Sequence, residues 1–209
     1  GHDACRKICI LAAIAFGRHV YPRQVPTEGI SGVTLADVAY AESCNRKIKL
    51  LGRAVKQDDG KICAYVAPHL VDGEAPLAGV EDVFNAIMVK GDAIGDVMFY
   101  GRGAGKLPTA SAVVADVMDA ARHIRSRKRI EWGPGGDDVA VGPEKMPFRW
   151  YVRALGTAED ARAVPGASLL SRPGAPADEV AFLTSPMTRA HLDGALGALV
   201  PQSVFRVLE

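Results

Sequence analysis

Asp3 and Lys7 stand four residues apart at the entrance of an apolar run, Ile8 to Phe16. On a helix that spacing puts a carboxylate and an ammonium on one face, one turn apart. Two readings follow. In the first, Asp3 caps the helix and pairs with Lys7, an arrangement worth roughly a few tenths of a kcal/mol. In the second, a lysine near the positive end of a helix dipole and beside a dry core has its charged form disfavoured, which suits it to proton transfer. The spacing alone leaves both open.

A second candidate is the run Gly101-Arg102-Gly103-Ala104-Gly105-Lys106-Leu107-Pro108. It lies between a strand-like run and a helical pattern, and a strand, a glycine turn and a helix together make a generic phosphate cradle. Two familiar nucleotide motifs fail here. A P-loop ending at Gly105-Lys106 needs Gly at 100 and Ser or Thr at 107, where the chain has Tyr100 and Leu107. A Rossmann fingerprint needs GxGxxG within a βαβ unit, whereas the spacing here is GxGxG and the helix empties into a loop. A tight turn for close backbone packing and a cofactor contact both fit what is left.

The other reactive residue types form no pattern. His2, His19, His69, His123 and His191 show neither HxxxH nor HExxH spacing, so they read as structural or surface residues, and no metal site is expected. Cys5, Cys9, Cys44 and Cys63 form no CxxC pair and sit in apolar surroundings, as reduced thiols of a cytoplasmic protein do.

The elements that must carry these residues fill 209 positions, enough for one large domain or two small ones. Apolar residues make up 48% and charged residues 23%, which excludes disordered, collagen-like and coiled-coil chains. A net charge of +1 gives no global field for nucleic acid or anionic lipid. The Ile8 to Phe16 run is too short to span a membrane. Periodicity predicts helices over 4–16, stopped by Gly17, and over 34–41. Strands are expected over 47–56 and 61–70, joined at Gln57-Asp58-Asp59-Gly60, and over 84–90 and 96–100. A helix over 109–125 follows, with Val113, Val117, Ala121 and Ile124 on one stripe. Arg125 to Arg129 reads as a solvated helix end, and Gly133-Pro134-Gly135-Gly136 as linker. Short strands over 148–155, 167–172, 180–185 and 203–208, with a helix over 188–199, close the chain.

Several of these runs resemble homoserine dehydrogenase: Asp3-Ala4-Cys5-Arg6-Lys7-Ile8-Cys9-Ile10-Leu11-Ala12, Glu28-Gly29-Ile30, Ile48-Lys49-Leu50-Leu51-Gly52, Pro76-Leu77-Ala78 and Asn85-Ala86. The most distinctive is Phe99-Tyr100-Gly101-Arg102-Gly103-Ala104-Gly105, with Pro108-Thr109-Ala110-Ser111-Ala112-Val113 after it. The likeness covers about residues 1 to 125 in order. It implies NAD(P)-dependent interconversion of L-homoserine and L-aspartate 4-semialdehyde, in the route to threonine and methionine. Lys7 matches the lysine that exchanges a proton with the substrate oxygen, and Asp3 the carboxylate that holds substrate and orients that lysine. Gly103, Ala104 and Gly105 become cofactor-contact candidates.

The fold implied is α+β: a mixed sheet with helices on one face over 1–125, which includes the glycine-loop helix 101–125, a linker over 126–147, and a small ACT-like βαββαβ domain over 148–209. Only eleven residues separate its first two strands, so its first helix should be abbreviated. The resemblance implies that the family's N-terminal nucleotide domain, the main NAD(P) binder, its metal-ion site and the substrate-binding glutamate upstream of Asp3 are expected to lie outside these residues. The chain alone is therefore expected to be inactive. A homodimer and an amino-acid effector at the ACT-like domain are expected, with no nucleic-acid or membrane partner. The competing expectation is a non-catalytic dimerisation or amino-acid-sensing module.

Overall fold

The computed structural model describes residues 1–126 and 131–209. The basic run expected at a helix end thus lies largely outside the described residues. Contacts divide the chain into two compact units, Gly1–Asp72 with Glu131–Glu209, and Gly73–Ile130.

The first unit is built on one seven-stranded mixed sheet. Strands β1 (Arg46–Lys56) and β2 (Ile62–Asp72) pair antiparallel from Arg46↔Asp72 to Lys56↔Ile62. The expected turn joins them, with Gly60 at φ +80° and its N–H bonded to Gln57 O. In chain order, β6 (Trp150–Leu155), α4 (Ala158–Ala163), β7 (Ser168–Leu170), β8 (Glu179–Leu183), α5 (Arg189–Ala195) and β9 (Val200–Val207) follow. Their strands lie in the order β9-β6-β8-β7, antiparallel throughout. They do not make a sheet of their own. β9 pairs parallel with β2 at His69↔Arg206 and Leu70↔Val207, so β1, β2 and the later strands are continuous. α4 is six residues long, as short as the connection requires, and is fastened by a Thr157–Asp160 capping box.

Both faces of this sheet are covered. On one, α1 (His2–Phe16) packs on Ile62, Ala64 and Val66, and α2 (Leu35–Ser43) brings Tyr40 and Ala41 against Leu70, Tyr151 and Phe205. On the other, α4 and α5 contribute Ala161, Leu192 and Leu196 to a cluster with Trp150, Val152 and Phe182. β2 is buried along nearly its whole length, which is why it reads as a continuous apolar run rather than an alternating one. The segment read as linker is ordered where described: Gly133 is bridged to Arg18, Gln24 Nε2 donates to Gly136 O, and β5 (Ala140–Val141) pairs parallel with β2.

The second unit holds a hairpin, β3 (Phe84–Gly91) with β4 (Gly95–Arg102), and α3 (Lys106–Arg122). α3 forms where its period predicts a helix but ends at Arg122, which leaves Ile124 outside it, and the apolar stripe is bare: Val113 and Val117 are exposed and no residue of the helix is buried.

Candidate active site

Geometry at the start of α1 decides what Asp3 and Lys7 can do. The helix begins at His2, two residues earlier than a cap at Asp3 would allow, and Gly1 is its N-cap with no side-chain bond. Asp3 is therefore a first-turn acid, favourable at the positive end of the dipole, and not the expected cap. Its carboxylate Oδ2 lies 2.8 Å from Lys7 Nζ. α1 buries Cys5, Cys9, Ala12 and Ala13 against the sheet, where Gly52 lets it approach so closely that a Cβ there would stand 3.1 Å from Ile8 Cβ. The opposite stripe, Asp3, Lys7, Ile10 and Ile14, faces outward. The Lys7 side chain is 58% exposed, so the dry surroundings expected for its ammonium are not found in these residues. Burial falls instead on the neighbouring thiols: it pushes Cys9 up to about 11, with Cys5 adding to the rise, which leaves Cys9 a protonated, inert group near neutral pH.

Gly103, Ala104 and Gly105 lie in the other compact unit, between β4 and α3. Gly103 donates its N–H to Val83 O at 3.0 Å, and a Cβ on it would collide with the Asn85 side chain. Gly105 has φ +120° and ψ 152°, a conformation that glycine adopts without strain. The helix begins with Thr109 N–H bonded to Gly105 O, so the N–H groups of Lys106 and Leu107 stand outside the intrahelical ladder. On the β3–β4 hairpin the Phe84 and Tyr100 rings stack at 4.8 Å, with Arg102 over Phe84.

A buried polar constellation around Asp37 was not anticipated. Asp37, fully buried on α2, accepts from Arg153 Nε at 2.7 Å, from the Tyr151 hydroxyl at 3.0 Å and from Ser203 Oγ at 3.0 Å. Arg153 also reaches Glu179 at 3.0 Å, and Glu179 binds Arg172 at 2.6 Å and the Tyr40 hydroxyl at 3.2 Å. Burial by itself would raise the carboxyls of Asp37 and Glu179. Hydrogen bonds from Arg153 and Thr34 to Asp37, and from Arg172 and Arg153 to Glu179, outweigh it and hold both below their usual range. The reverse holds for the Tyr151 phenol, which burial and the adjacent Asp37 charge push up. Two sequence signals existed: Thr34-x-x-Asp37 is a capping box, and Arg153 interrupts an otherwise apolar strand on the same face as Tyr151.

His69 is another buried polar residue. A carbonyl can only accept, so Nδ1 carries the proton toward Ala67 O at 2.9 Å, and Nε2 is left to accept from the Tyr65 hydroxyl at 3.4 Å. Burial lowers the imidazole to about 3.

The first unit is α+β, with an ion pair at the start of α1, and the second unit carries a glycine turn that opens α3. The homoserine dehydrogenase family model matches residues 1–118. The chain is 46% identical over 126 residues to homoserine dehydrogenase of Pseudomonas aeruginosa, covering 60% of this chain and 29% of that protein. With the Corynebacterium glutamicum enzyme it shares 48% identity over 127 residues, 59% of this chain and 28% of the relative. A solved homoserine dehydrogenase from Thiobacillus denitrificans superposes with a TM-score of 0.80 at 29% identity, covering 99% of this chain and 53% of that one. The chain belongs to the homoserine dehydrogenase family. It spans under a third of the curated relatives and about half of the solved chain.

Proposed function

We propose that these residues are the catalytic and C-terminal part of a homoserine dehydrogenase that interconverts L-homoserine and L-aspartate 4-semialdehyde in threonine and methionine biosynthesis, in the cytoplasm. The observation that carries this reading is the 2.8 Å Asp3–Lys7 pair, solvent-facing at the start of α1 within the stretch that matches the family. Reduced nicotinamide, when bound, supplies the hydride. As hydride reaches the aldehyde carbon, the carbonyl electron pair moves to oxygen, and the Lys7 ammonium gives that oxygen a proton; in the reverse direction Lys7 takes the proton back. Asp3 holds the ammonium in place and offers its second oxygen to the substrate's amino group.

Gly103, Ala104 and Gly105 fit an anionic cofactor. No side chain larger than a methyl stands on them, the Lys106 and Leu107 N–H groups stand outside the helical ladder, and the positive end of α3 lies beneath. The main NAD(P) site belongs to a nucleotide-binding domain outside these residues. Strand order β9-β6-β8-β7 with a βαββαβ succession supports an ACT-like reading of 148–209, and with it an amino-acid effector and a homodimer. It also keeps a second reading open: a dimerising amino-acid sensor without turnover. Lys7→Ala in the polypeptide that carries a nucleotide-binding domain ahead of these residues tests the first. Loss of homoserine oxidation with an unchanged circular dichroism spectrum is expected, and full turnover would sink it. Calorimetry of residues 1–209 with threonine and methionine tests the effector, and absence of heat removes that part.

A further inference from the structure

Arg206, near the end of β9, is a buried cation of the first unit. Its guanidinium lies over three rings, 5.0 Å from the Tyr65 centroid, 5.2 Å from Trp150 and 5.5 Å from Phe148. The residue is 7% exposed, and its Nε is buried without a hydrogen-bond partner. A side chain that served only to fill this cage would be better made of carbon, because an unpaired buried N–H is costly. What the guanidinium does reach is Glu28: Nη1 lies 3.0 Å from Oε1, across 178 residues of sequence. The aromatic stack fixes the plane of the fork, and the fork points at one loop.

That loop underlies the start of α1. Glu28 N–H donates to Val66 O, Val66 N–H donates to Pro26 O, and Thr27 is bridged to Val66, so the segment is stitched to β2. Gly1, whose carbonyl accepts the Cys5 N–H in the first turn, has room for no side chain: a Cβ there would stand 2.8 Å from Thr27 Cγ2 and 3.2 Å from Glu28 O. Cys5 Sγ donates to Pro22 O on the same loop. The first turn that carries Asp3 and leads to Lys7 therefore rests on the segment Glu28 anchors.

We propose that Arg206, acting through Glu28, is a positioning residue for the Asp3–Lys7 pair, so that strand β9 sets the seat of the helix that does the chemistry. The proposal rests on the reading of Asp3 and Lys7 given above. It concerns placement; Arg206 itself touches no substrate. Small displacements of an acid–base group cost disproportionately in rate, so the effect should appear in the substrate terms of the kinetics rather than in the cofactor terms.

The test uses Glu28→Gln, Arg206→Met and the double variant in the polypeptide that includes the nucleotide-binding domain. Each single change should lower kcat and raise KM for homoserine, with kcat/KM down about tenfold or more and KM for the nicotinamide cofactor unchanged. The double variant should be no worse than the more affected single one, since both break one connection. A fall in kcat with both KM values unchanged, or effects that multiply, would show a merely structural role and overturn the proposal. Arg206→Met risks the fold, whereas Glu28→Gln changes a half-exposed side chain and keeps the test sharp. On residues 1–209, hydrogen exchange at the Glu28 and Cys5 amides should quicken about tenfold in both single variants, and unchanged exchange overturns the proposal whatever Lys7 does. Full turnover in Lys7→Ala, by contrast, overturns the site reading and leaves the exchange result standing on its own.

Discussion

Two aspartate–cation pairs in the first unit have nearly the same geometry and opposite surroundings. Asp3 and Lys7 meet at 2.8 Å with side chains 80% and 58% exposed, while Asp37 and Arg153 meet at 2.7 Å with side chains 0% and 10% exposed. Water screens the first, so its contribution to stability is roughly 0.5 kcal/mol or less. The second stands in the interior, where Asp37 without Arg153 would be an uncompensated charge, while Arg153 keeps Glu179 as a further partner. The fold can spare the exposed pair. That freedom suits the proton exchange proposed for Lys7, which requires a group that can gain and lose its proton without unfolding the helix that carries it.

Separating the two pairs by substitution is the most direct way to break this contrast. Lys7→Ala should reduce kcat/KM of the complete enzyme by about 10²–10⁴ while changing unfolding free energy by no more than about 0.5 kcal/mol. A large stability loss would make the exposed pair structural. Arg153→Met should do the reverse, destabilising residues 1–209 by about 3–5 kcal/mol in urea unfolding, with part recovered when Asp37→Leu is added. A loss below about 1 kcal/mol would mean that the buried network carries little.

Acid sharpens the contrast further. The depressed carboxyls of Asp37 and Glu179 contribute stability that is complete above the ordinary values of 3.8 and 4.5 and is lost as pH falls through their folded values. His69 acts sooner. Its ordinary value of 6.5 drops to about 3 in the fold, so below pH 6.5 the unfolded chain takes a proton that the folded chain refuses. Stability should decline by about 2–3 kcal/mol between pH 7 and 4.5 for this reason, and His69→Gln should flatten that decline in urea titrations at the two pH values. The smallest effect expected is at the α1–β1 contact. Gly52→Ala places a methyl 3.1 Å from Ile8 Cβ and should cost about 1 kcal/mol, read as a lower midpoint with an unchanged slope.

What was legible in the sequence was local. Helix α1 with its Gly17 stop, the β1–β2 turn at Gly60, the β3–β4 hairpin and the strand–glycine–helix passage into α3 all follow from period and turn chemistry within a few residues. The Asp3–Lys7 spacing was legible for the same reason. The joining of β2 to β9 was not, because two parallel pairs between distant segments leave no local mark, and the later strands therefore read as a domain apart. Asp3 was misread as a cap because the helix start depends on Gly1 packing against Thr27, a contact no window around Asp3 contains. The apolar stripe of α3 illustrates the opposite limit: periodicity announces a face and says nothing about what meets it.

The pairing of β2 with β9 also dictates an order of events during synthesis. Ser203, which closes the cluster around Asp37, lies 166 residues downstream of it, and Arg206 lies farther still from Glu28. The helices α1 and α2 leave the ribosome well before β9, and the strand β2 that they lie against lacks that neighbour until β9 has emerged. Contacts of such long range slow folding. Until β9 is in place, β2 presents unpaired backbone groups around His69 and Leu70, the kind of open edge that invites mispairing.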